Sequence, residues 1–377
     1  MSYQLVCIEC DEVHDSSKYR LYCHRCGGLL DTTYDTAATV ESRVHVERQG
    51  TARYLPTLPI NNPDNLVSMG EGNTPVVHLP RVGQEMGLDV YGKLEYFNPT
   101  CSFKDRGYAV HVSVLKETGI TEVADISGGG GGQSLGAYCA RAGITYHGFP
   151  DKEGASHRKV EAIGIYGTQM HWADGDRAAA VEALAKFTEN SGALLIKTQN
   201  IYFIEGQKTM AYEIGEQMDP PPEHIIVPIG SGSILHGLWK GYREMLEDGR
   251  AKKIPKLYGV QTTETQPVAS AFEGRDWIPP QGNANSVAKG IDVKKPPRIE
   301  VLLRVFKESG GRPVTIDEPN IIFWQRKLAE MEGIFVEPTS AIVIGAAQKL
   351  KETGYIKNGD RVLLPFTGFG MREPIPE

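Results

Sequence analysis

The sequence predicts an α/β protein built on an open, mostly parallel sheet. Short runs rich in Ile, Val and Leu recur along the chain. Such runs are typical of strands that are buried on both faces of a parallel sheet. Helix-like segments follow most of these runs, and several of them end at a glycine. In a fold of this kind, loops that bind ligands lie at the carboxyl ends of the strands.

The predicted elements begin near residue 89. Runs with the composition of strands cover residues 89–96, 123–127, 144–149, 193–197, 224–229, 256–260 and 361–366. Segments with the composition of helices cover residues 103–119, 134–143, 157–167, 178–192, 205–218, 233–246 and 339–354. A cysteine-containing segment and a polar arm precede these elements. The turn-rich motif GEGNTP, at 70–75, follows the arm.

Composition sets limits on both the size and the class of the protein. A chain of 377 residues corresponds to two or three domains at about 150 residues each. Its 40% hydrophobic residues are enough for a sizeable core, and its formal charge of −7 argues against a nucleic-acid binder. We find no run of about 18 apolar residues and no leader-like start. We therefore expect a cytoplasmic protein that binds neither nucleic acid nor membrane.

Four of the six cysteines occur within the first 26 residues, in the pairs CIEC and CHRC. Twelve residues separate the second cysteine of the first pair from the first cysteine of the next. This spacing is typical of two knuckles that meet at one structural Zn²⁺. Two disulfides, which a cytosolic compartment disfavours, and a ribbon without metal are the alternatives. The predicted ligands are Cys7, Cys10, Cys23 and Cys26.

Three stretches have the order strand, glycine-rich turn and helix, which favours binding of a phosphate or carboxylate. They are ISGGGGGQSLGAY, VPIGSGSILHGLW and LLPFTGFGMREP. The first contains five consecutive glycines, 128–132, which we call the glycine run. Neither of the first two matches the dinucleotide pattern convincingly, and the absence of Gly-Lys-Ser/Thr after either turn excludes a P-loop.

The motif NPTCSFKDRG places Lys104 close to the predicted start of a helix, directly after Phe103. A lysine at such a position, if it is desolvated, becomes a nucleophile toward carbonyl groups. By spacing alone, a surface lysine in the first turn of a helix is the simpler interpretation. A lysine that binds an aldehyde cofactor needs a phosphate site as well, and residues 230–234 are suited to supply it.

These motifs together resemble the fold-type II pyridoxal-phosphate (PLP) enzymes, and among them the threonine synthases. The resemblance extends from about residue 5 to 374 and includes GEGNTP, NPTCSFKDRG, EGQKT, VPIGSGSILHG, GIFVEPTSA and TGFG in that order. It implies a two-lobed fold like that of the tryptophan synthase β subunit, with an N-terminal zinc-ribbon-like segment. The active site would lie in the cleft between the lobes, and the enzyme would be a homodimer acting on a small amino-acid substrate.

The resemblance also implies how the chain is divided. Residues 1–35 would form the ribbon-like segment, and 36–94 the connecting arm and the start of the large lobe. Residues 95–204 would form the small lobe, which would carry the lysine and the glycine run. Residues 205–377 would form the large lobe that binds PLP.

Carried over by position, Lys104 would hold PLP as an internal imine and move protons at the substrate carbons. Phe103 would pack against the ring, and Thr367 would face the pyridine nitrogen with a neutral hydroxyl. The cofactor phosphate would be bound by Gly230, Ser231, Gly232, Ser233 and Ile234. The substrate would be bound by Ser127, Gly128, Gly129, Gly130, Gly131, Gln133 and Lys159.

Two departures from the family pattern affect the expected substrate. Gly130 stands where the family commonly has an asparagine that contacts the 3′-oxygen of the cofactor. Phe203 stands where the family commonly has an arginine suited to a substrate phosphate, and phenylalanine cannot donate to an anion. His157 and Arg158, beside Lys159, could compensate or could form a solvated helix face. The glycine run would then make room for a bulkier substrate or one without a phosphate.

The leading prediction is the threonine synthase reaction, in which phosphate leaves from Cγ of O-phosphohomoserine and water adds at Cβ. Replacement or elimination on another activated amino acid, as in a cysteate synthase or a dehydratase, is an equal alternative. A further possibility is a relative that binds PLP but catalyses no reaction, because Gly130 replaces the asparagine that contacts the cofactor in the family. A ribbon protein that binds a partner through residues 1–35 is the remaining class.

Overall fold

The computed structural model describes residues 3–34, 47–126, 129–152, 157–197, 200–279, 286–372 and 375–376, without the side chains of 157–159. Within these residues there are thirteen β-strands and eleven α-helices. The strands are β1 Tyr3–Cys7, β2 Val13–His14, β3 Leu30–Tyr34, β4 Val76–His78, β5 Asp89–Lys93, β6 Glu122–Asp125, β7 Thr145–Gly148, β8 Gln169–Met170, β9 Leu194–Leu195, β10 His224–Pro228, β11 Lys256–Thr262, β12 Pro313–Ile316 and β13 Arg361–Pro365.

From β4 onward, helices separate the strands, as the predicted α/β class requires, so that class is confirmed. They are α1 Pro80–Met86, α2 Lys104–Glu117, α3 Gly130–Ala142, α4 His157–Gly164, α5 Arg177–Ser191, α6 Ile201–Gln217, α7 Ser233–Glu247, α8 Pro267–Phe272, α9 Ile299–Ser309, α10 Glu318–Glu332 and α11 Pro338–Glu352. None of the described helices is long and apolar enough to cross a membrane.

The described chain divides into two compact units, Met1–Gly72 with Lys104–Gly206, and Asn73–Phe103 with Gln207–Glu377. The division predicted at residues 95 and 205 stays a prediction. In the first unit, β2-β1-β3 form an antiparallel sheet, and β8-β7-β6-β9 form a parallel sheet. The antiparallel strands lie next to the four cysteines, and we call residues 3–34 the ribbon.

The second unit contains one larger sheet, in the order β12-β11-β10-β13-β5-β4. All neighbouring strands are parallel except β4 and β5. Val362 and Leu364 of β13 belong to the core that includes side chains of α1, α10 and α11. Leu363 between them is also fully buried, outside that core. The strand is therefore covered on both faces, as its apolar composition predicts.

Several elements between residues 263 and 338 were not predicted, although local signals for them exist. The carboxylate of Asp317 accepts a hydrogen bond from the amide of Asn320 at the start of α10, and Pro319 follows within the first turn. Helix α9 ends at Gly310 in the left-handed conformation, with φ 70°. An N-cap aspartate and a C-terminal glycine are the signals that identify such helices from sequence.

Candidate active site

Lys104 is the first residue of α2, close to the helix start that the motif predicts. The lysine is half-buried, whereas Asp105 and Arg106 after it are fully buried. The residue before it, Phe103, belongs to the second unit, where its amide donates to the carbonyl of Thr367 at 3.1 Å. The structure therefore brings together the main chains of Phe103 and Thr367, two of the predicted site residues.

The turn at 230–234 connects β10 to the 15-residue helix α7. Gly232 is the N-cap residue, with φ 84°, and no side chain of the described residues caps the helix. A left-handed conformation favours glycine, and the amides of a first helical turn have no acceptor within the helix. Ser231 and Ser233 on either side are half-buried and carry hydroxyl groups. Such an uncapped turn has the donors and the helix dipole that bind a phosphate.

Thr367 is buried at the end of β13, in contact with two side chains that the sequence analysis left without a role. Its hydroxyl lies 2.9 Å from the hydroxyl of Ser340 and donates to the carboxylate of Glu337 at 3.5 Å. The Ser340 hydroxyl also accepts from the amide of Gly368 at 2.9 Å. Thr367 is therefore not surrounded by neutral groups alone. The signal was present in the EPTSA motif, which contributes both side chains.

The glycine run differs from the prediction, which treated it as a loop before a helix at residue 134. Helix α3 begins at Gly130, and Gly129 is its N-cap residue, in an extended conformation with φ −133°. Glycine in a helix costs about 1 kcal/mol relative to alanine, so propensity alone predicts a later start. Tertiary contacts farther along α3 outweigh this cost. Ser127 and Gly128 lie outside the described residues.

Two buried hydrogen bonds hold α3 in place. The hydroxyl of Ser134 donates to Asp105 at 2.5 Å, next to Lys104 in the chain. The hydroxyl of Tyr138 donates to the carboxylate of Glu71, from the GEGNTP motif, at 2.8 Å. Burial raises the pKa of Glu71 to about 7. Gly129, the N-cap residue of α3, has no side chain to cap the helix, and its carbonyl accepts from the amide of Gln133 at 3.2 Å.

Phe203 takes part in apolar packing. Its half-buried ring lies against Gly107, where an added Cβ would stand 2.4 Å from Cδ2 of the ring. The ring also meets Tyr108 edge-on, with centroids 4.9 Å apart. The side chain of Lys159 lies outside the described residues, although its backbone belongs to α4.

The four N-terminal cysteines lie together as predicted, with all four sulfur atoms within 4.8 Å of one another. The Sγ atoms of Cys7 and Cys26 are 3.4 Å apart, and those of Cys10 and Cys23 are 3.7 Å apart. Four thiolates at about 2.3 Å from a tetrahedral zinc would be about 3.8 Å from one another. The cluster therefore has the dimensions of a zinc site, and its cysteines are free of disulfides.

Comparisons with known proteins identify the family. Residues 67–368 match the model of the family described as "Pyridoxal-phosphate dependent enzyme". The chain is 33% identical to the threonine synthase of Methanocaldococcus jannaschii, over 98% of this chain and 92% of that protein. The chain belongs to the pyridoxal-phosphate-dependent enzymes. It is a PLP-dependent lyase of the threonine-synthase type, so the predicted resemblance is confirmed.

Other relatives agree with this placement. The threonine synthase of Methanosarcina acetivorans is 31% identical, over 99% of this chain and 93% of that protein. Among solved structures, maize serine racemase matches with a TM-score of 0.69 at 22% identity, covering 79% of this chain and 88% of that one. Threonine deaminase isoform 2 from Solanum lycopersicum matches with a TM-score of 0.68 at 19% identity, covering 78% and 79%. At these identities the structures confirm the fold-type II architecture alone.

The donor groups of this PLP-dependent enzyme fit the cofactor that its family name states. The half-buried Lys104 supplies an amine at a helix start, and the uncapped turn at 230–234 supplies amides for a phosphate. An added Cβ at Gly232 would stand 2.5 Å from Leu302, so this close turn depends on glycine.

Proposed function

We propose that the protein is a threonine synthase, which converts O-phosphohomoserine and water into threonine and inorganic phosphate. Phosphate leaves from Cγ of the substrate, and the oxygen of water forms a bond with Cβ. The similarity to threonine synthases along almost the whole of both chains carries the proposal. The set of motifs that remains intact around Lys104, the 230–234 turn and Thr367 supports it.

Each group has a role that follows from its chemistry. Lys104 would hold PLP through its aldehyde, and its amine would carry protons between substrate carbons. The amides and hydroxyls of 230–234 bind the phosphate of the cofactor at the start of α7. Thr367, whose hydroxyl lies 2.9 Å from that of Ser340, would face the pyridine nitrogen. PLP when bound supplies an electron sink that stabilises negative charge on the substrate.

The first turn of α3 is proposed to bind the substrate carboxylate through backbone amides, because a helix N-terminus favours an anion. An added Cβ at Gly129 would meet no atom of the described residues within 4 Å, so these residues leave space there. The residues assigned to this role are Ser127, Gly128, Gly129, Gly130, Gly131 and Gln133, with Lys159 proposed for the substrate phosphate.

Phe203 favours a second candidate function, replacement or elimination on an amino acid without a phosphate. Its ring packs against Gly107 and Tyr108 and offers no donor to an anion. A bound substrate would then carry a neutral leaving group such as an acetate ester or a hydroxyl. The two candidates differ in their substrate and share the same cofactor and lysine.

The test is a reaction of the purified holoenzyme with O-phosphohomoserine, followed by assays for threonine and phosphate. Equal amounts of both products are expected, and Lys104→Ala is expected to abolish the reaction together with the absorption band of bound PLP. Lys116→Ala, at the far end of the same helix, serves as the matched control. O-phosphoserine, serine, threonine and O-acetylated analogues are compared in parallel. If an O-acetylated substrate turns over while O-phosphohomoserine changes neither product nor spectrum, the second candidate replaces the first.

We also propose that the cysteine cluster holds a structural Zn²⁺ through Cys7, Cys10, Cys23 and Cys26. Amides of Glu9, Arg25 and Gly28 donate to three of these sulfurs at 3.3–3.4 Å, which favours thiolates. Four thiolate ligands leave no open position for catalysis. One zinc per chain is expected by elemental analysis of the full-length protein. A cytoplasmic homodimer is proposed from the resemblance alone, and sedimentation of the purified enzyme tests the dimer.

A further inference from the structure

The ribbon packs directly onto two helices of its own unit. One hydrophobic core contains Tyr3, Leu5 and Leu30 of the ribbon together with Val110 of α2 and Tyr202 of α6. Helix α2 begins at Lys104, and α6 contains the EGQKT motif. The ribbon is therefore attached to the helix that carries the proposed cofactor lysine.

Tyr19 forms a polar connection within this apolar contact. Its hydroxyl lies 3.0 Å from Nε2 of His111 in α2 and accepts from the amide side chain of Asn200 at 2.8 Å. His111 is fully buried, and burial lowers its pKa to about 3, so the ring is neutral. Asn200 also accepts from the amides of Tyr202 and Phe203 in the first turn of α6. One tyrosine hydroxyl thus connects the ribbon to both helices.

Tyr34, at the end of β3, forms a second connection. Its hydroxyl donates to the carboxylate of Glu205, a fully buried residue of α6. In a third contact, the hydroxyl of Tyr202 donates a hydrogen bond to the carbonyl of Arg20 in the ribbon at 3.2 Å. Buried hydrogen bonds of this kind are costly to break, because the group left behind loses its partner. Glu205 has a carboxylate, for which the cost is larger.

Helix α6 in turn is packed tightly against the first turn of α2. An added Cβ at Gly206 would stand 2.0 Å from the carbonyl oxygen of Arg106. An added Cβ at Gly107 would stand 2.4 Å from the ring of Phe203. The two helices therefore touch backbone to backbone within three residues of Lys104. A displacement of α6 cannot be absorbed at this contact and must move the lysine.

The cysteine cluster controls the segment that carries Tyr19. Tyr19 and Arg20 belong to the twelve-residue spacer between Cys10 and Cys23. A metal bound by both cysteines closes this spacer into a loop and removes most of its conformational freedom. The position of the Tyr19 hydroxyl is then set by the metal site.

We propose that the ribbon is a positioning element for the lysine helix, with Tyr19 and Tyr34 as its positioning residues, and that metal binding in the ribbon strengthens cofactor binding through them. The proposal rests on the proposed function for the role of Lys104 alone. The ribbon contributes no group to the reaction. It acts through His111, Asn200 and Glu205 on the two helices.

The first experiment measures the dissociation constant of PLP, by the absorption of the bound cofactor, in full-length Tyr19→Phe, Tyr34→Phe and the double variant. We expect about threefold to tenfold weaker binding in each single variant, which corresponds to the loss of a hydrogen bond of about 1 kcal/mol. Tyr22→Phe is the matched control, since it lies on the same spacer and its hydroxyl has no hydrogen bond to any described residue. Its PLP binding is expected to stay within twofold of the wild type.

A purely structural role predicts a different result. The melting temperature of the apoprotein would then fall in the tyrosine variants while PLP binding stayed unchanged, and that outcome overturns the proposal. Glu205→Gln in combination with Tyr34→Phe adds a further readout. The double variant is expected to bind PLP no more weakly than Tyr34→Phe alone, because the contact that Glu205→Gln weakens is already absent without the Tyr34 hydroxyl.

The second experiment removes metal from the full-length protein with EDTA and adds Zn²⁺ back. Loss of metal is expected to weaken PLP binding and to speed hydrogen exchange of the amides in 104–117 and 201–217. Zn²⁺ is expected to restore both in the wild type, but not PLP binding in the Tyr19→Phe/Tyr34→Phe variant. Faster exchange confined to the ribbon, or a protein that binds no metal, overturns the coupling. If the wild type binds no PLP at all, the proposed function fails instead.

Discussion

Helices α3 and α7 both start at a glycine without a side-chain cap, but for different physical reasons. Gly232 before α7 has φ 84°, and an added Cβ would stand 2.5 Å from Leu302. Gly129 before α3 has φ −133°, and an added Cβ would meet no atom of the described part of the chain within 4 Å. The backbone and the packing require glycine at 232, whereas the fold places no such requirement on 129. The described residues therefore leave room at Gly129 for the substrate carboxylate proposed above.

The two helices are also stabilised at different places. The start of α7 packs directly against Leu302, so its glycine contributes to stability. Helix α3 is held by buried hydrogen bonds one to two turns farther along, from Ser134 to Asp105 and from Tyr138 to Glu71. Substitutions at these positions test whether the difference holds.

The largest effect is expected for Gly232→Ala. Alanine in the left-handed conformation costs about 1–2 kcal/mol, and overpacking against Leu302 adds about 1–3 kcal/mol. The free energy of unfolding from urea titration should fall by about 2–5 kcal/mol in total, and PLP binding should weaken.

Gly249→Ala is the matched control for this substitution. Gly249 follows α7 with φ 80°, and an added Cβ would meet no described atom within 4 Å. Only the cost of the conformation, about 1–2 kcal/mol, is expected there. Equal losses in the two variants would show that packing at Gly232 contributes nothing.

A smaller effect, dependent on pH, is expected for Glu71→Gln. Burial raises the pKa of Glu71 to about 7, so the folded protein favours the neutral acid. Its contribution to stability is present below the ordinary pKa of about 4.5 and is lost as the pH rises to about 7. Glutamine cannot ionise, so the variant should lack up to about 3 kcal/mol of the loss in unfolding free energy that the wild type shows as the pH rises.

The measurement is the free energy of unfolding of wild type and variant at pH 5 and at pH 8. The variant is expected to gain stability relative to the wild type at pH 8. Ser68→Ala, which removes a hydroxyl that donates to the same carboxylate but keeps the ionisable group, is the control and should retain the loss of stability with rising pH. An identical pH dependence in Glu71→Gln and the wild type contradicts the assignment.

The smallest effect on stability is expected for Gly129→Ser. Serine suits the extended N-cap conformation and the open space, so the free energy of unfolding should change by less than about 0.5 kcal/mol. The new side chain would occupy the space proposed for the substrate carboxylate. The KM for the amino-acid substrate should therefore rise while PLP binding is retained. A variant with wild-type KM would show that the open space is not used.

Much of the chemistry was visible in the sequence because it depends on residues in local order. The start of α2 near Lys104, the turn at 230–234 and the paired cysteines were predicted from motifs and spacing. The start of α3 was placed four residues too late, because glycine is a poor helix former and the bonds to Asp105 and Glu71 come from distant parts of the chain. The neighbours of Thr367 were missed for the same reason, since Glu337 and Ser340 reach it across a separation of about thirty residues.

The sequence by itself determined the α/β class, the PLP-dependent family and the cysteine cluster, because each rests on residue types at short, regular spacing. Only the tertiary structure decided that the ribbon meets α2 and α6 through Tyr19 and Tyr34. The tertiary structure alone also decided at which positions, such as 232, the backbone conformation and the packing require glycine. Those properties depend on which atoms of distant segments come within a few ångströms of each other, and local patterns contain no such distances.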